Sequence, residues 1–140
     1  GTVGDITLNG GSITPGNSIG TIAAADMTWN SLGIMAFELN NANNSSDLLD
    51  LSGAFLKGSG AAFAFNFVGT GMNGHTYTLV DFASTSFVQS DFSYSNLTSG
   101  LSGSFGLTSG NLTFTVVPEP SAAMLVGGLG VLALVRRRRQ

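Results

Sequence analysis

The residues that could carry out chemistry are few, and their types exclude several classes of site. His75 is the single histidine and there is no cysteine, so a metal site or catalytic triad that needs two histidines or a thiolate is excluded within one chain. His75 acting as a general base would need an orienting carboxylate and a nucleophile within reach. No G-x-S-x-G motif supplies that nucleophile. We therefore expect His75 to lie in a polar turn and the chain not to be an enzyme.

Two aspartates are candidates for binding a cation. Asp47 and Asp50 follow the asparagine-rich segment 40–46, and carboxylate oxygens are ligands that Ca²⁺ prefers. The segment has neither the spacing of an EF-hand loop nor a Gly-Gly-x-Gly-x-Asp repeat. A glycosidase needs two carboxylates about 5–10 Å apart, and spacing along this chain does not show such a pair. The sequence therefore predicts an acidic turn, with no metal and no cofactor.

The aromatic residues predict a core and, as an alternative, a surface that contacts glycans. Trp29 and Tyr94 could stack on sugar rings, because each combines a large apolar face with a polar tip. Aromatic residues are also routine in β-sheet cores, and the chain has ten phenylalanines. The candidate core residues are Phe63, Phe65, Phe67, Phe82, Phe87, Phe92, Phe105 and Phe114.

Charge divides the chain into two parts. Residues 1–117 carry seven acidic side chains and a single cation, Lys57, whereas residues 118–140 carry Glu119 and a run of four arginines. The arginines are Arg136, Arg137, Arg138 and Arg139. An acidic body with one lysine has no electrostatic footprint for nucleic acid, so we expect no nucleic-acid partner.

The uncharged segment 121–135 predicts a single C-terminal transmembrane helix. Fifteen helical residues span about 22 Å, which is short of a hydrocarbon core of about 30 Å. The arginines that follow can reach the headgroups and lengthen the effective span. The positive-inside rule then places the arginines in the cytoplasm and residues 1–120 outside. A buried helix of a soluble domain is the alternative, but it should show a polar face.

Three features occur in order at the C-terminal end: Val117-Pro118-Glu119-Pro120-Ser121, the apolar segment and the arginine run. Together they resemble a PEP-CTERM sorting signal, which is the substrate of an exosortase in Gram-negative bacteria. The two prolines also hold the junction extended and prevent helix formation there. A proline-containing linker before an ordinary membrane anchor remains the alternative.

The resemblance implies a route for the protein. It implies export, a transient inner-membrane anchor at 121–135 and release to the cell surface or extracellular matrix. Pro118, Glu119 and Pro120 would be the motif recognised and cleaved by an exosortase, and Arg136–Arg139 the orientation element. Because the chain begins Gly1-Thr2-Val3-Gly4 without an apolar leader, we expect it to be the C-terminal fragment of a longer protein.

Period-2 alternation predicts an all-β body over residues 1–117. Apolar residues alternate with polar or small ones in five segments, which are separated by Gly-, Asn- and Pro-containing turn signals. The apolar series are Ile6 and Leu8; Met35, Phe37 and Leu39; Phe63, Phe65 and Phe67; and Leu112, Phe114 and Val116. The fifth segment, Thr76–Phe82, is rich in β-formers on both faces.

Two segments of the body carry a further resemblance. Residues 11–22 (GSITPGNSIGTI) and residues 46–54 (SDLLDLSGA) resemble autotransporter-associated β-strand repeats of passenger-type proteins. That resemblance implies the terminal rungs and cap of a right-handed parallel β-helix. A small β-sandwich is the alternative.

The expected function follows from the tail more than from the body. Residues 1–117 would be an extracytoplasmic β domain and residues 118–140 its sorting signal. We expect an exported structural or interaction protein of the cell surface or exopolysaccharide matrix, with exopolysaccharide or other surface proteins as partners. The alternatives are a carbohydrate-binding or adhesive module, and the C-terminal end of a β-helix polysaccharide-active enzyme.

Overall fold

Strands make up almost all of the regular structure. The computed structural model describes residues 2–69, 71 and 73–119, and within these it has thirteen strands and one 3₁₀ turn, Gln89–Asp91. The all-β prediction is therefore confirmed for the body. The predicted helix 121–135 and the arginine run lie outside the described residues. Within the described part, no helix has the length and apolar character needed to cross a membrane.

The first sheet has four parallel strands. In spatial order they are β1 (Ile6–Leu8), β4 (Met27–Trp29), β7 (Ala54–Lys57) and β10 (Ser84–Thr85). Met27 lies opposite Phe55, 28 positions later in the chain. Both side chains are fully buried, so this sheet turns one face towards the core.

The second sheet also has four parallel strands. They are β2 (Ser12–Ile13), β5 (Ile34–Leu39), β8 (Phe63–Gly69) and β11 (Phe92–Ser95). The predicted alternation of β5 and β8 is confirmed, because their apolar series are buried. Met35 and Phe37 of β5 lie in register with Phe65 and Phe67 of β8.

The third sheet is mixed. Its parallel part contains β3 (Thr21–Ala24), β6 (Leu48–Leu51) and β9 (Thr76–Asp81), and its antiparallel part contains β13 (Asn111–Pro118) and β12 (Leu101–Leu107). β13 lies between β9 and β12 and runs opposite to both. The last hairpin therefore completes this sheet at one end.

Parallel pairing joins each strand to the one three strands later in the chain. The chain passes through the first, second and third sheets in turn and then returns to the first, one strand further along. The number of positions along the chain between paired residues varies: Ile34 pairs with Ala64, 30 positions later, whereas Ile6 pairs with Met27, 21 positions later. These irregular distances explain why no fixed repeat period is visible in the sequence.

The core between the sheets is aromatic. Seven of the eight phenylalanines expected in the core are buried, and Phe105 is partly buried against them. Trp29 lies at the centre, with ring centroids 5.4 Å from both Phe63 and Phe65. Such edge-to-face contacts add to the free energy gained from burying apolar area.

The β12–β13 hairpin covers one end of this core. The Phe105 ring lies 5.0 Å from Phe114 and 5.6 Å from both Phe65 and Phe92. On β12, the Gly103 N–H donates to the Tyr94 hydroxyl over 3.1 Å. The hairpin is thus joined to the second sheet by ring packing and by this hydrogen bond.

Candidate functional site: where the chain leaves the last strand

The Pro-Glu-Pro motif begins inside the last strand. β13 continues through Pro118, which lies opposite Leu101 of β12. The last strand thus extends one residue past Val117, into the motif. Proline has no N–H to donate to a ladder, but the end of a strand tolerates it. Glu119 follows immediately, and both Pro118 and Glu119 are exposed.

A tight turn holds the backbone at Glu119. The Glu119 N–H donates to the Gly100 carbonyl over 3.0 Å, and the Leu101 N–H donates to the Thr98 carbonyl over 3.0 Å. Gly100 has φ of +85°, a left-handed conformation that costs an L-residue free energy. The turn that contacts the motif thus depends on glycine at this position.

On the opposite side, the loop before β9 holds the same strand. The Val116 N–H donates to the His75 carbonyl over 2.9 Å, and the Gly74 N–H donates to the Val116 carbonyl over 2.8 Å. The Val116 side chain is fully buried. Of the predicted sorting residues, Pro118 and Glu119 are thus at the end of the fold, whereas Pro120 and Arg136–Arg139 lie outside the described residues.

Trp29 does not have the position expected of a glycan contact. It is 0% exposed, and its indole N–H donates to the Gly33 carbonyl over 2.9 Å. The alternating pattern of β4 turns this side chain inwards, where aromatic neighbours surround it. The prediction that Trp29 contacts a glycan is therefore wrong for this fold.

Tyr94 is half-buried rather than displayed on a groove. Its ring packs against Phe114 at 4.9 Å and Phe67 at 6.1 Å, and its hydroxyl accepts the Gly103 N–H. Tyr94 therefore joins β11 to the terminal hairpin.

His75 lies just before β9, and its ring contacts Asn44. The contact is between Nδ1 of the ring and the side-chain oxygen of Asn44, and the ring also lies near Tyr77. Through its carbonyl, His75 also contacts Val116. These contacts agree with the expectation of a polar turn residue.

Asp47 is buried, contrary to the prediction of an acidic surface turn. Its side chain is almost fully covered, and its two oxygens accept the Gly20 N–H over 2.8 Å and the Glu38 N–H over 2.7 Å. Burial raises the pKa of Asp47 above its ordinary value, although these two hydrogen bonds oppose the rise. Asp47 therefore ties three chain segments together. The sequence contained no signal for it, because its partners are backbone groups distant in the chain.

Asp50 is separated from Asp47 and lies beside another carboxylate. Asp50 of β6 is directly opposite Asp81 of β9. Burial raises the pKa of Asp81, and the negative charge of Asp50 raises it further. Among the residues with described structure, no group of three or more His, Cys, Asp or Glu is placed to hold a metal ion. The sequence missed this pair because parallel pairing brings the two residues together from 31 positions apart.

The single lysine also has a structural partner. The Lys57 ammonium lies 2.7 Å from a carboxylate oxygen of Asp91. The other oxygen of Asp91 accepts the Val88 N–H over 2.8 Å. Burial alone would raise the pKa of Asp91, but the hydrogen bonds and charge of these partners outweigh it and hold the pKa below its ordinary value.

A shallow cavity of about 290 Å³ opens near the first strand of the third sheet. Its lining residues are Thr2, Val3, Ala23, Ala24, Ala25, Asp50 and Ser52. Asp50 is its single ionisable group, so the cavity does not gather the several polar groups that usually fix a ligand.

Comparison with known proteins identifies the tail. Residues 116–139 match the family described as the PEP-CTERM protein-sorting motif. No curated protein and no solved structure matches the chain significantly. The match includes Val116, Pro118 and Glu119, whose structural positions are described above, and it says nothing about the β body. The chain therefore carries a PEP-CTERM sorting motif, which supports export toward the cell surface and processing by an exosortase.

Proposed function

We propose that residues 2–117 form the last coils of a parallel β-helix and act as a structural or interaction module of the cell surface or exopolysaccharide matrix. Support for the architecture comes from the three-sheet path of the chain, in which each parallel strand pairs with the strand one circuit later. The antiparallel β12–β13 hairpin would be the cap that closes the helical core, as terminal units of repeat folds do.

The observation that carries this proposal is the position of the sorting motif relative to the fold. Val116 is the last fully buried residue described, and the exposed Pro118 and Glu119 follow it directly. Removal of the chain beyond the motif would leave the core contacts of β13 in place. A domain built in this way can be separated from a transient inner-membrane anchor without unfolding.

We also propose that the β domain itself is not an enzyme. Three of its buried or half-buried carboxylates have structural partners: Asp47 accepts two backbone N–H groups, Asp91 binds Lys57, and Asp26 accepts the Ala54 N–H over 2.6 Å. These contacts support the interior and the corners of the coils. The chemistry of sorting would belong to the exosortase, with Pro118–Pro120 as its substrate.

An adhesive role is the second candidate, favoured by one outer face of the third sheet. Thr76 and Thr78 of β9 lie opposite Thr115 and Thr113 of β13, and the Thr76 and Thr115 hydroxyls are 2.8 Å apart. Hydroxyls at alternate residues of neighbouring strands lie on one face of the sheet with a regular spacing. Such an array suits hydrogen bonding to a glycan. Co-sedimentation of the released domain with host exopolysaccharide would distinguish this role from a purely structural one.

The processing step can be tested by intact-mass spectrometry of secreted and membrane fractions from the native host. We expect the secreted protein to lack Arg136–Arg139. Replacing Pro118, Glu119 and Pro120 together by alanine should leave full-length chain in the membrane fraction, whereas Ser121→Ala should be processed normally. A wild-type chain that ends at Gln140 and remains in the membrane fraction would contradict the proposal.

A further inference from the structure

We infer that the fold clamps the first residues of the sorting motif, so that cleavage occurs C-terminal to Glu119 and the released domain retains Pro118 and Glu119. This inference rests on the proposed processing of the tail and adds the position of the cleaved bond. It also assigns the turn at Gly100 a role in controlling access to that bond.

The first part of the clamp is Val116, whose backbone is hydrogen-bonded on one side of its strand and whose strand has a second neighbour on the other side. On the β9 side, its N–H and carbonyl bind the backbone of His75 and Gly74. On the β12 side it lies opposite Gly103, and its side chain is in the core. A peptide bond next to Val116 cannot be reached by an enzyme while these contacts persist.

The second part covers the next three residues. Val117 and Pro118 lie opposite Ser102 and Leu101 in the β12–β13 ladder. The Glu119 N–H then binds the carbonyl of Gly100. The backbone of the chain is thus engaged up to the amide of Glu119, even though the side chains of Val117, Pro118 and Glu119 are exposed.

Proteins that bind extended peptides generally use the free backbone groups of the peptide. Residues 116–119 offer few such groups while they remain part of the sheet. Hydrolysis breaks one peptide C–N bond and forms a C–O bond with water, and the departing nitrogen takes the proton. The first bond whose cleavage leaves both β13 and the contact between Glu119 and Gly100 in the released domain is the one after Glu119.

Binding of an enzyme at that bond would still require the Glu119 amide to leave the Gly100 carbonyl, a contact that lies just beyond the ends of β12 and β13. Opening of the contact between Glu119 and Gly100 is then a step in processing. Gly100 has a positive φ, and a Cβ atom added there would meet no other atom within 4 Å. Alanine at this position would strain the backbone without a steric clash, so Gly100→Ala should weaken the clamp selectively.

The hairpin provides a matched control at its other end. Gly110 lies in the turn between β12 and β13, has no positive φ, and also has open space where a Cβ atom would lie. Gly110→Ala therefore makes the same chemical change without the same strain. Its amide and carbonyl contacts, to Thr108 and Phe82, involve the backbone of Gly110 and are retained.

The test compares the full-length wild type, Gly100→Ala and Gly110→Ala chains in the native host. Intact mass should show a released wild-type domain that ends at Glu119 or later. Pulse-chase labelling should show conversion at least about fivefold faster for Gly100→Ala and unchanged for Gly110→Ala. A released domain ending at Pro118 or earlier, or equal rates for all three chains, would overturn the inference.

A second measurement separates failure of the clamp from failure of the proposed processing. If the wild-type chain is not shortened in the host, the proposed processing fails, and the clamp is tested by amide hydrogen exchange on purified full-length chain in detergent. The Glu119 amide should be protected in the wild type and Gly110→Ala, and should exchange at least about fivefold faster in Gly100→Ala. An unprotected Glu119 amide in the wild type would overturn the clamp.

Discussion

The aspartates of this chain show how environment gives one residue type opposite electrostatic roles. Asp91 is paired with Lys57, and its pKa lies below the ordinary value. Asp81 is partly buried and faces the like charge of Asp50, so its pKa lies above that value. Asp91 therefore supports the fold when it is ionised, whereas ionisation of Asp81 opposes folding.

The Asp50–Asp81 pair predicts a pH-dependent gain in stability. Asp81→Asn should raise the free energy of unfolding at pH 7 by about 0.5 kcal/mol, because like charges opposite each other on neighbouring strands are destabilising. The folded chain binds the Asp81 proton more tightly than the unfolded chain does. Lowering the pH through the folded pKa of Asp81 protonates it in the folded chain first and so stabilises the fold. At the unfolded pKa of about 3.9 and below, the stability advantage of Asp81→Asn over the wild type should disappear.

Urea unfolding at pH 7 and at about pH 3 measures this effect. Asp50→Asn should give a smaller gain at pH 7, since it removes the repulsion but leaves the Asp81 charge partly buried. The double variant should be less stable than the sum of the two gains predicts, because either substitution removes the same repulsion. Additive gains, or a gain that persists at the lower pH, would show that Asp50 and Asp81 do not interact.

At the scale of elements, the terminal hairpin packs against the aromatic core. β12 contributes Phe105 to the aromatic cluster, and Gly103 allows β12 to approach Phe114 closely. A Cβ atom on Gly103 would lie 2.2 Å from the Phe114 ring, so the aromatic packing requires glycine there. The hairpin is therefore attached by side-chain packing as well as by its backbone ladder.

We predict that Phe105→Ala weakens the fold by about 2–3 kcal/mol. This is below the range of about 3–5 kcal/mol for fully buried phenylalanine, because Phe105 is only partly buried. The variant should lower the urea midpoint and speed amide exchange in β12.

Ser104→Ala is the matched control, since it changes the exposed residue next to Phe105 on the same strand. It should change the free energy of unfolding by no more than about 0.5 kcal/mol. Equal effects of Phe105→Ala and Ser104→Ala would show that the packing of Phe105 does not stabilise β12.

At the scale of the whole molecule, the fold and the sorting motif share only a few residues. The core extends to Val116, and backbone contacts extend to Glu119. The segment that directs sorting can therefore be removed without loss of the core, whereas the strand that precedes it cannot.

Two truncations test this arrangement. A chain that stops after Glu119 should unfold as two-state, with every described core contact retained. A chain that stops after Thr115 should be less stable by at least about 2 kcal/mol, because it loses the buried Val116 side chain and its hydrogen bonds to His75 and Gly74. Equal urea midpoints for the two truncated chains would show that Val116 is dispensable to the fold.

Much of the local structure could be predicted because it depends on alternation. Phe63, Phe65 and Phe67 face the core in the structure as the period-2 pattern indicates, and β5 and β13 follow the same rule. The sorting motif could also be predicted, since its residue types occur in a fixed linear order along the chain.

The positions of Trp29, Asp47 and Asp81 could not be predicted in the same way. Trp29 is polar at one tip, and its burial depends on the aromatic residues that other strands bring around it. Asp47 is stabilised by two backbone N–H groups, and Asp81 is perturbed by Asp50. Each of these environments arises from strands that are distant in sequence.

The sequence by itself determined that the body is β-structured, that its core is aromatic, and that its C-terminal end is a sorting signal. These properties depend on the local alternation and order of residues. Only the tertiary structure decided that β13 runs into Pro118 and that Gly100 holds Glu119, because hydrogen bonds between strands depend on which segments meet. The physical reason is that a strand specifies its own two faces, whereas its partners along both edges are supplied by the rest of the chain.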